Sequence, residues 1–85
     1  MAQVLAIFRV MPKSVDTNLD SLEEQIKNSI SPEKIERKPI AFGIVALNVY
    51  KFMEDAEGEI EKIENKIKNI ESVGEVEVLE VTRSL

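Results

Sequence analysis

Two stretches of this chain alternate in a way that leaves apolar residues on both sides at once. In Gln3 to Met11, Val4, Ala6, Phe8 and Val10 fall on one side, with Leu5, Ile7 and Met11 on the other, broken only by Arg9. In Ile44 to Met53, Val45, Leu47, Val49 and Met53 alternate with Ile44, Ala46, Asn48, Tyr50 and Phe52. A strand with one wet face reads apolar at every second position only, so these two belong in the middle of a sheet, at least partly covered on each side. Whatever the chain folds into must build outward from that pair.

The segments between them carry the helical period instead. Leu19, Leu22, Ile26 and Ile30 recur at three- and four-residue spacing, as do Ile60, Ile63, Ile67 and Ile70. Each set makes one apolar stripe able to lie on a sheet. Met11-Pro12 ends the first strand and Ser31-Pro32 the first helix, because proline pushes the preceding residue out of the helical region and cannot donate to a ladder. Thr17 with Asp20, or Asp20 with Glu23, offers a capping box for the first helix. Glu23 and Lys27 stand four apart for an ion pair on its wet side. Asp55 is the expected cap of the second helix, and Glu71 to Gly74 its expected stop. Lys34 to Lys38, with Ile35 its only apolar residue, reads as a short charged edge strand. Glu75 to Thr82 alternates again, Val76 and Val78 against Leu79 and Val81.

The order is strand, helix, strand, strand, helix, strand, two halves of about forty residues with the same plan. Right-handed crossovers then put both helices on one face of a four-stranded antiparallel sheet whose first and third strands are central. The expected fold is thus an α+β, ferredoxin-like βαββαβ sandwich. At 85 residues, 1–85 is expected to be a single domain.

Much chemistry is excluded by composition. The chain has no cysteine and no histidine, so thiolate ligation, disulfides and the usual neutral-pH general base are all missing. The three glycines, Gly43, Gly58 and Gly74, are isolated and form no phosphate loop. Glu54, Asp55, Glu57 and Glu59 match no metal-binding loop and read as a solvated helix start, so neither metal nor cofactor is expected. Phe8 and Tyr50 or Phe52 stand on the central strands where an RNA-binding sheet carries stacking aromatics. A net charge of −5 and an aromatic content of 5% favour packing roles for them instead, and no nucleic-acid partner is expected. No window approaches the roughly 18 apolar residues of a membrane span, so a cytoplasmic protein is expected.

What remains is Pro39-Ile40-Ala41-Phe42-Gly43, a bend between two strands. Bends are ordinarily polar, whereas this one holds a large aromatic at its turn. Phe42 either plugs the core or is displayed to a partner. The aliphatic side chains Leu19, Leu22, Ile26, Ile60, Ile63 and Ile67 against Val45, Leu47 and Val49 already suffice for a small core, which favours display.

The run Pro39-Ile40-Ala41-Phe42-Gly43-Ile44, continuing through Leu47, resembles the P-I-x-F-G-I-x-x-L segment of the translation elongation factor 1-beta family. Val10-Met11-Pro12 and Asp55-Ala56-Glu57-Gly58 extend the likeness, which covers the whole chain and is strongest toward archaeal members. The resemblance implies a guanine-nucleotide exchange domain for elongation factor 1-alpha, engaging that GTPase in its GDP-bound and nucleotide-free forms, with no covalent chemistry of its own. It assigns Phe42 to insertion into a pocket of the GTPase, supported by Ile40 and Gly43. It also implies a basic residue near the C-terminus that disturbs the magnesium and phosphate site. Eukaryotic relatives carry a penultimate lysine; this chain has Ser84 there and Arg83 just before it, so Arg83 is the candidate. The free domain is expected to be a monomer. The competing expectation is a regulatory or oligomerisation domain of the same fold without exchange activity, with Phe42 hidden in a dimer interface.

Overall fold

The computed structural model describes residues 2–83. Its elements are β1 (Gln3–Pro12), α1 (Leu19–Ile30), β2 (Lys34–Pro39), β3 (Val45–Glu54), α2 (Glu59–Lys68) and β4 (Val73–Arg83). All pairings are antiparallel and the sheet order is β2-β3-β1-β4, so the two doubly apolar strands are the central ones. This is the ferredoxin-like arrangement.

Register decides which face of each strand is dry. Val4 stands opposite Met53, Phe8 opposite Val49 and Val10 opposite Leu47 on one side of the sheet. These residues are buried together with Leu22, Ile26 and Ile30 of α1 and Ile63 and Ile67 of α2. Leu19, Ile35, Ile60 and Ile70 pack at the margin of that core. Phe8 is completely buried, as are Leu22, Ile26 and Ile67. Burying a side chain of this kind contributes about 1.5–3 kcal/mol each, which is what ties the helices to the sheet. The opposite face carries no helix and presents Leu5, Ile7, Tyr50 and Phe52 from β1 and β3.

The caps differ from those the sequence suggested. The α1 cap is Asn18, whose Oδ1 accepts the Ser21 N–H at 3.0 Å. Thr17 is turned the other way, its Oγ1 accepting from the Ser14 N–H at 3.2 Å. Asp20 and Glu23 are claimed by Arg37 of β2, whose Nε donates to Glu23 at 2.6 Å. A bidentate cation outcompetes both the expected capping role and the expected pair with Lys27. At the other end Ser31 adopts φ 49°, and its N–H returns to the Lys27 carbonyl at 3.1 Å, closing the helix before Pro32.

The second helix is likewise not capped by Asp55. Gly58, at φ 85°, occupies that position without a side-chain bond, and Asp55 pairs with Arg83. Gly74 does not stop α2 either: it lies inside β4, where a Cβ would stand 3.0 Å from the Pro12 carbonyl oxygen. Only glycine lets the β4 backbone come that close to the end of β1. A bulge displaces the register between Ile7 and Phe8, leaving Leu79 without a partner on β1 and half-exposed.

Candidate functional site

The β2–β3 hairpin is closed by a tight turn whose backbone is set by four residues. The Ile44 N–H donates to the Ala41 carbonyl at 3.0 Å, and the Ile40 N–H donates to the Ile44 carbonyl at 3.0 Å. Between them Phe42 has φ 56° and Gly43 φ 76°. Both central residues of this turn therefore have positive φ, as a primed turn requires. The ladder register, with Pro39 opposite Val45, leaves 41–43 between the bonded residues Ile40 and Ile44. The turn's first central position is ordinarily Asn, Asp or Gly, because a Cβ in the left-handed region clashes with the following carbonyl. Here that position holds phenylalanine.

The side chain gains nothing from the fold in return. Phe42 is 96% exposed, while Ile40 beside it is 46% exposed. The expectation that the core does not need Phe42 therefore holds. The strand that follows is rigid: Val45 to Met53 are paired to β2 or β1 throughout their length. The turn thus holds a bare aromatic residue at the end of a stiff ribbon, with little backbone freedom left to lose on docking.

Ile40, Phe42 and Gly43 are brought together, but Arg83 is not with them. Arg83 lies opposite Val4, whereas the strand leading away from the hairpin reaches Leu47 opposite Val10. Those positions are six residue steps apart on β1, about 20 Å at 3.4 Å per step, before the hairpin adds its own length. The described residues extend 41 Å along their longest axis and 21 Å across the next. Arg83 and Phe42 therefore sit at opposite ends of an elongated body. The Arg83 guanidinium is well exposed and its Nη2 lies 3.1 Å from Asp55 Oδ2. Ser84, the position matching the eukaryotic penultimate lysine, falls outside the described residues.

The other aromatics divide between the faces. Phe8 is in the core and unavailable for stacking, whereas Phe52 is 40% exposed on the helix-free face. Tyr50 on the same face donates its hydroxyl to Glu36 Oε1 at 2.7 Å, with Lys34 over its ring. That hydrogen bond, joined by one from Lys34, lowers the Glu36 carboxyl below its usual range, and the same contact raises the Tyr50 hydroxyl. The backbone strain at Phe42 was invisible in the composition of the bend; its one signal was a Phe-Gly pair where a turn with two positive φ values favours Asn-Gly.

Residues 5–83 match the protein family described as the EF-1 guanine nucleotide exchange domain. The chain is 43% identical to elongation factor 1-beta of Methanosphaera stadtmanae over 86 residues, covering 98% of both proteins. It is 44% identical to elongation factor 1-beta of Methanothermobacter thermautotrophicus over 88 residues, again 98% of each. With the same factor of Pyrococcus horikoshii it shares 43% identity over 94% of this chain and 93% of that one. Among solved structures, the ACT domain from the GTP pyrophosphokinase of Chlorobium tepidum superposes with a TM-score of 0.60 at 22% identity, covering 91% of this chain and 99% of that domain. At that identity the likeness is one of fold.

Proposed function

This chain belongs to the EF-1 guanine nucleotide exchange domain family, and we propose that it grips its GTPase, elongation factor 1-alpha, by inserting Phe42 into an apolar pocket. Its function is nucleotide exchange, promoting GDP release during translation elongation. Exchange makes and breaks no covalent bond. It requires a partner that binds the nucleotide-free GTPase more tightly than the nucleotide-bound form, and linkage makes the two ligands weaken each other equally. The domain therefore visits the GDP-bound GTPase briefly and the empty one for longer.

The observation that carries the role of Phe42 is the coincidence of two unfavourable choices at one residue. An aromatic ring lies almost wholly in water, on a backbone that an L-residue resists. Neither choice helps folding, and left-handed non-glycine residues concentrate at ligand clamps. Ile40 widens the apolar contact at the hairpin, and Gly43 supplies the second positive φ. Arg83, at the far end, is in our reading the cation that disturbs the magnesium and phosphate site. The two ends then act on separate parts of the GTPase, one holding and one disturbing. The acting unit is a single domain spanning 1–85, a cytoplasmic monomer when free, with no nucleic acid or membrane contact in the exchange step.

The test is release of a fluorescent GDP from elongation factor 1-alpha, followed at a limiting concentration of the domain. Phe42→Ala should slow release by about 10- to 150-fold, the loss of about 1.5–3 kcal/mol for an aromatic side chain buried in the partner. Full acceleration by that variant would remove Phe42 from the mechanism, and no acceleration by the wild-type domain would remove the function.

A further inference from the structure

Beside the hairpin, on the helix-free face, Arg9, Met11, Ile40, Glu75 and Glu77 line a cleft of about 220 Å³. Drug-sized ligands occupy pockets of about 300–1,000 Å³, so this one is on the scale of a single side chain. Its walls come from three elements. Met11 lies opposite Glu75 and Arg9 opposite Glu77 on β1 and β4, and Ile40 closes it from the base of the hairpin. Two of its charges are already matched, since Arg9 Nη2 stands 2.6 Å from Glu77 Oε1. Glu75 has no ion pair or side-chain hydrogen bond among the described residues, so the cleft is apolar along Met11 and Ile40 and negative at its Glu75 rim.

We infer that this cleft receives one long basic side chain, a lysine or arginine, of the GTPase that Phe42 engages. The inference rests on the hairpin being the docking end. Ile40 belongs to both features: it stands two residues from the Phe42 ring and forms one wall of the cleft. A partner surface that swallows Phe42 therefore passes over the cleft mouth. Lysine and arginine suit it because each lays an aliphatic stem on apolar surface while holding a charged head apart. The stem would run along Met11 and Ile40 and the head would meet Glu75. Glu77 offsets the charge of Arg9 through Arg9 Nη2, while Arg9 Nε is buried without a hydrogen-bond partner among the described residues. With Glu75 and Glu77 against one Arg9, the three charged walls of the cleft sum to one negative charge, which favours a cation. Such a contact sets orientation: an inserted ring alone leaves the domain free to rotate about the hairpin, and a second point fixes where the far end falls.

The experiment measures the affinity of the full-length domain for nucleotide-free elongation factor 1-alpha at low and high ionic strength, for the wild type, Glu75→Gln, Glu75→Lys and Phe42→Ala. Glu75 is exposed, and thermal melting should show all the Glu75 variants folded. Glu75→Gln should weaken binding about five- to tenfold at low salt, with a smaller gap at high salt, and Glu75→Lys should weaken it further. Binding of Glu75→Gln within about twofold of the wild type at low salt overturns the inference. If Phe42→Ala weakens binding while Glu75→Gln does not, the cleft alone is refuted. If Phe42→Ala is without effect, the reading of the hairpin fails, and an effect of Glu75→Gln would then place the contact elsewhere than claimed.

Discussion

Phe42→Asn separates what position 42 does for folding from what it does for exchange, because asparagine is a preferred residue at this position of a primed turn. In the folded domain Phe42 has φ 56° and 96% of its surface in water. Removing the ring sacrifices almost no burial, while asparagine tolerates the left-handed region far better than phenylalanine does. The left-handed conformation costs an ordinary L-residue about 1–2 kcal/mol, and asparagine recovers roughly half, about 0.5–1 kcal/mol. For a domain of 60–100 residues, 1 kcal/mol moves the melting temperature by about 4–8 °C, so Phe42→Asn should melt about 2–8 °C higher than the wild type. Exchange should move the opposite way. Full burial of a phenylalanine side chain in the partner is worth about 1.5–3 kcal/mol, and losing it weakens the complex by about 10- to 150-fold. Melting by circular dichroism and GDP release at limiting domain give the two readouts on one protein. A variant that melts lower would show that the ring stabilises the free domain and that the strain argument is wrong. A variant that melts higher and still releases GDP at the wild-type rate would show that position 42 is only a turn.

Arg83→Ala should lower the maximal rate of GDP release at saturating domain while leaving affinity nearly unchanged, and raising magnesium should deepen the defect; an affinity loss matching that of Phe42→Ala would mean the two ends do not have separate tasks. Gly74→Ala should destabilise the domain by about 1–3 kcal/mol in urea titration, since its Cβ would press on the Pro12 backbone at 3.0 Å. Gly43→Ala meets nothing within 4 Å and should cost only the strain of φ 76°, about 1–2 kcal/mol. Tyr50 is the only tyrosine and the chain has no tryptophan, so its ionisation can be followed directly in the ultraviolet. Its hydroxyl should titrate above the ordinary value of about 10, and Glu36→Gln should bring it back toward that value. A folded-state value raised in this way stabilises below the unfolded value and is lost as pH rises through the folded one, so Tyr50→Phe should flatten the alkaline limb of the stability profile. The lowered Glu36 carboxyl acts at the opposite extreme: its contribution is present above the usual carboxylate range and is lost as pH falls through its folded value.

The parts of the fold legible in the sequence were those decided by apolar periodicity. Val4, Ala6, Phe8 and Val10 are spaced as a strand and Leu22, Ile26 and Ile30 as a helix, and burial outweighs local alternatives at both. What could not be read were the places where several polar groups compete for one partner. Thr17, Asn18, Asp20 and Glu23 could all serve the start of α1. The outcome turned on Arg37, fourteen or more residues away, which takes the two acids and leaves Asn18 as the cap. Asp55 was lost to Arg83 in the same manner. A long-range cation leaves no trace in the local pattern, so capping assignments fail first. The site divides along the same line. Phe42 stood out because an aromatic in a bend conflicts with turn chemistry, and that conflict is local. Glu75 did not, because its significance comes from Met11 and Ile40 being folded next to it.

With the roles proposed for Phe42 and Arg83, the strained turn also bears on how the two ends would cooperate. A flexible loop carrying phenylalanine could find the same pocket, but it would leave the rest of the domain loosely oriented. Positive φ at both Phe42 and Gly43 instead makes the backbone that carries the ring a fixed extension of β3. Because β3 pairs with β1 and β1 pairs with β4, the backbone position of Phe42 is tied to that of Arg83 through two ladders of backbone hydrogen bonds. The separation of the two ends is then a property of the sheet, and loosening the turn should uncouple them without touching either side chain. Inserting two glycines between Ala41 and Phe42 keeps the ring and the cation but breaks the turn that fixes their relation. Such a variant should still bind through Phe42, losing affinity only modestly, yet release GDP more slowly at saturation. If it released GDP as fast as the wild type, the rigidity of the hairpin would have no part in exchange, and the left-handed phenylalanine would need another cause.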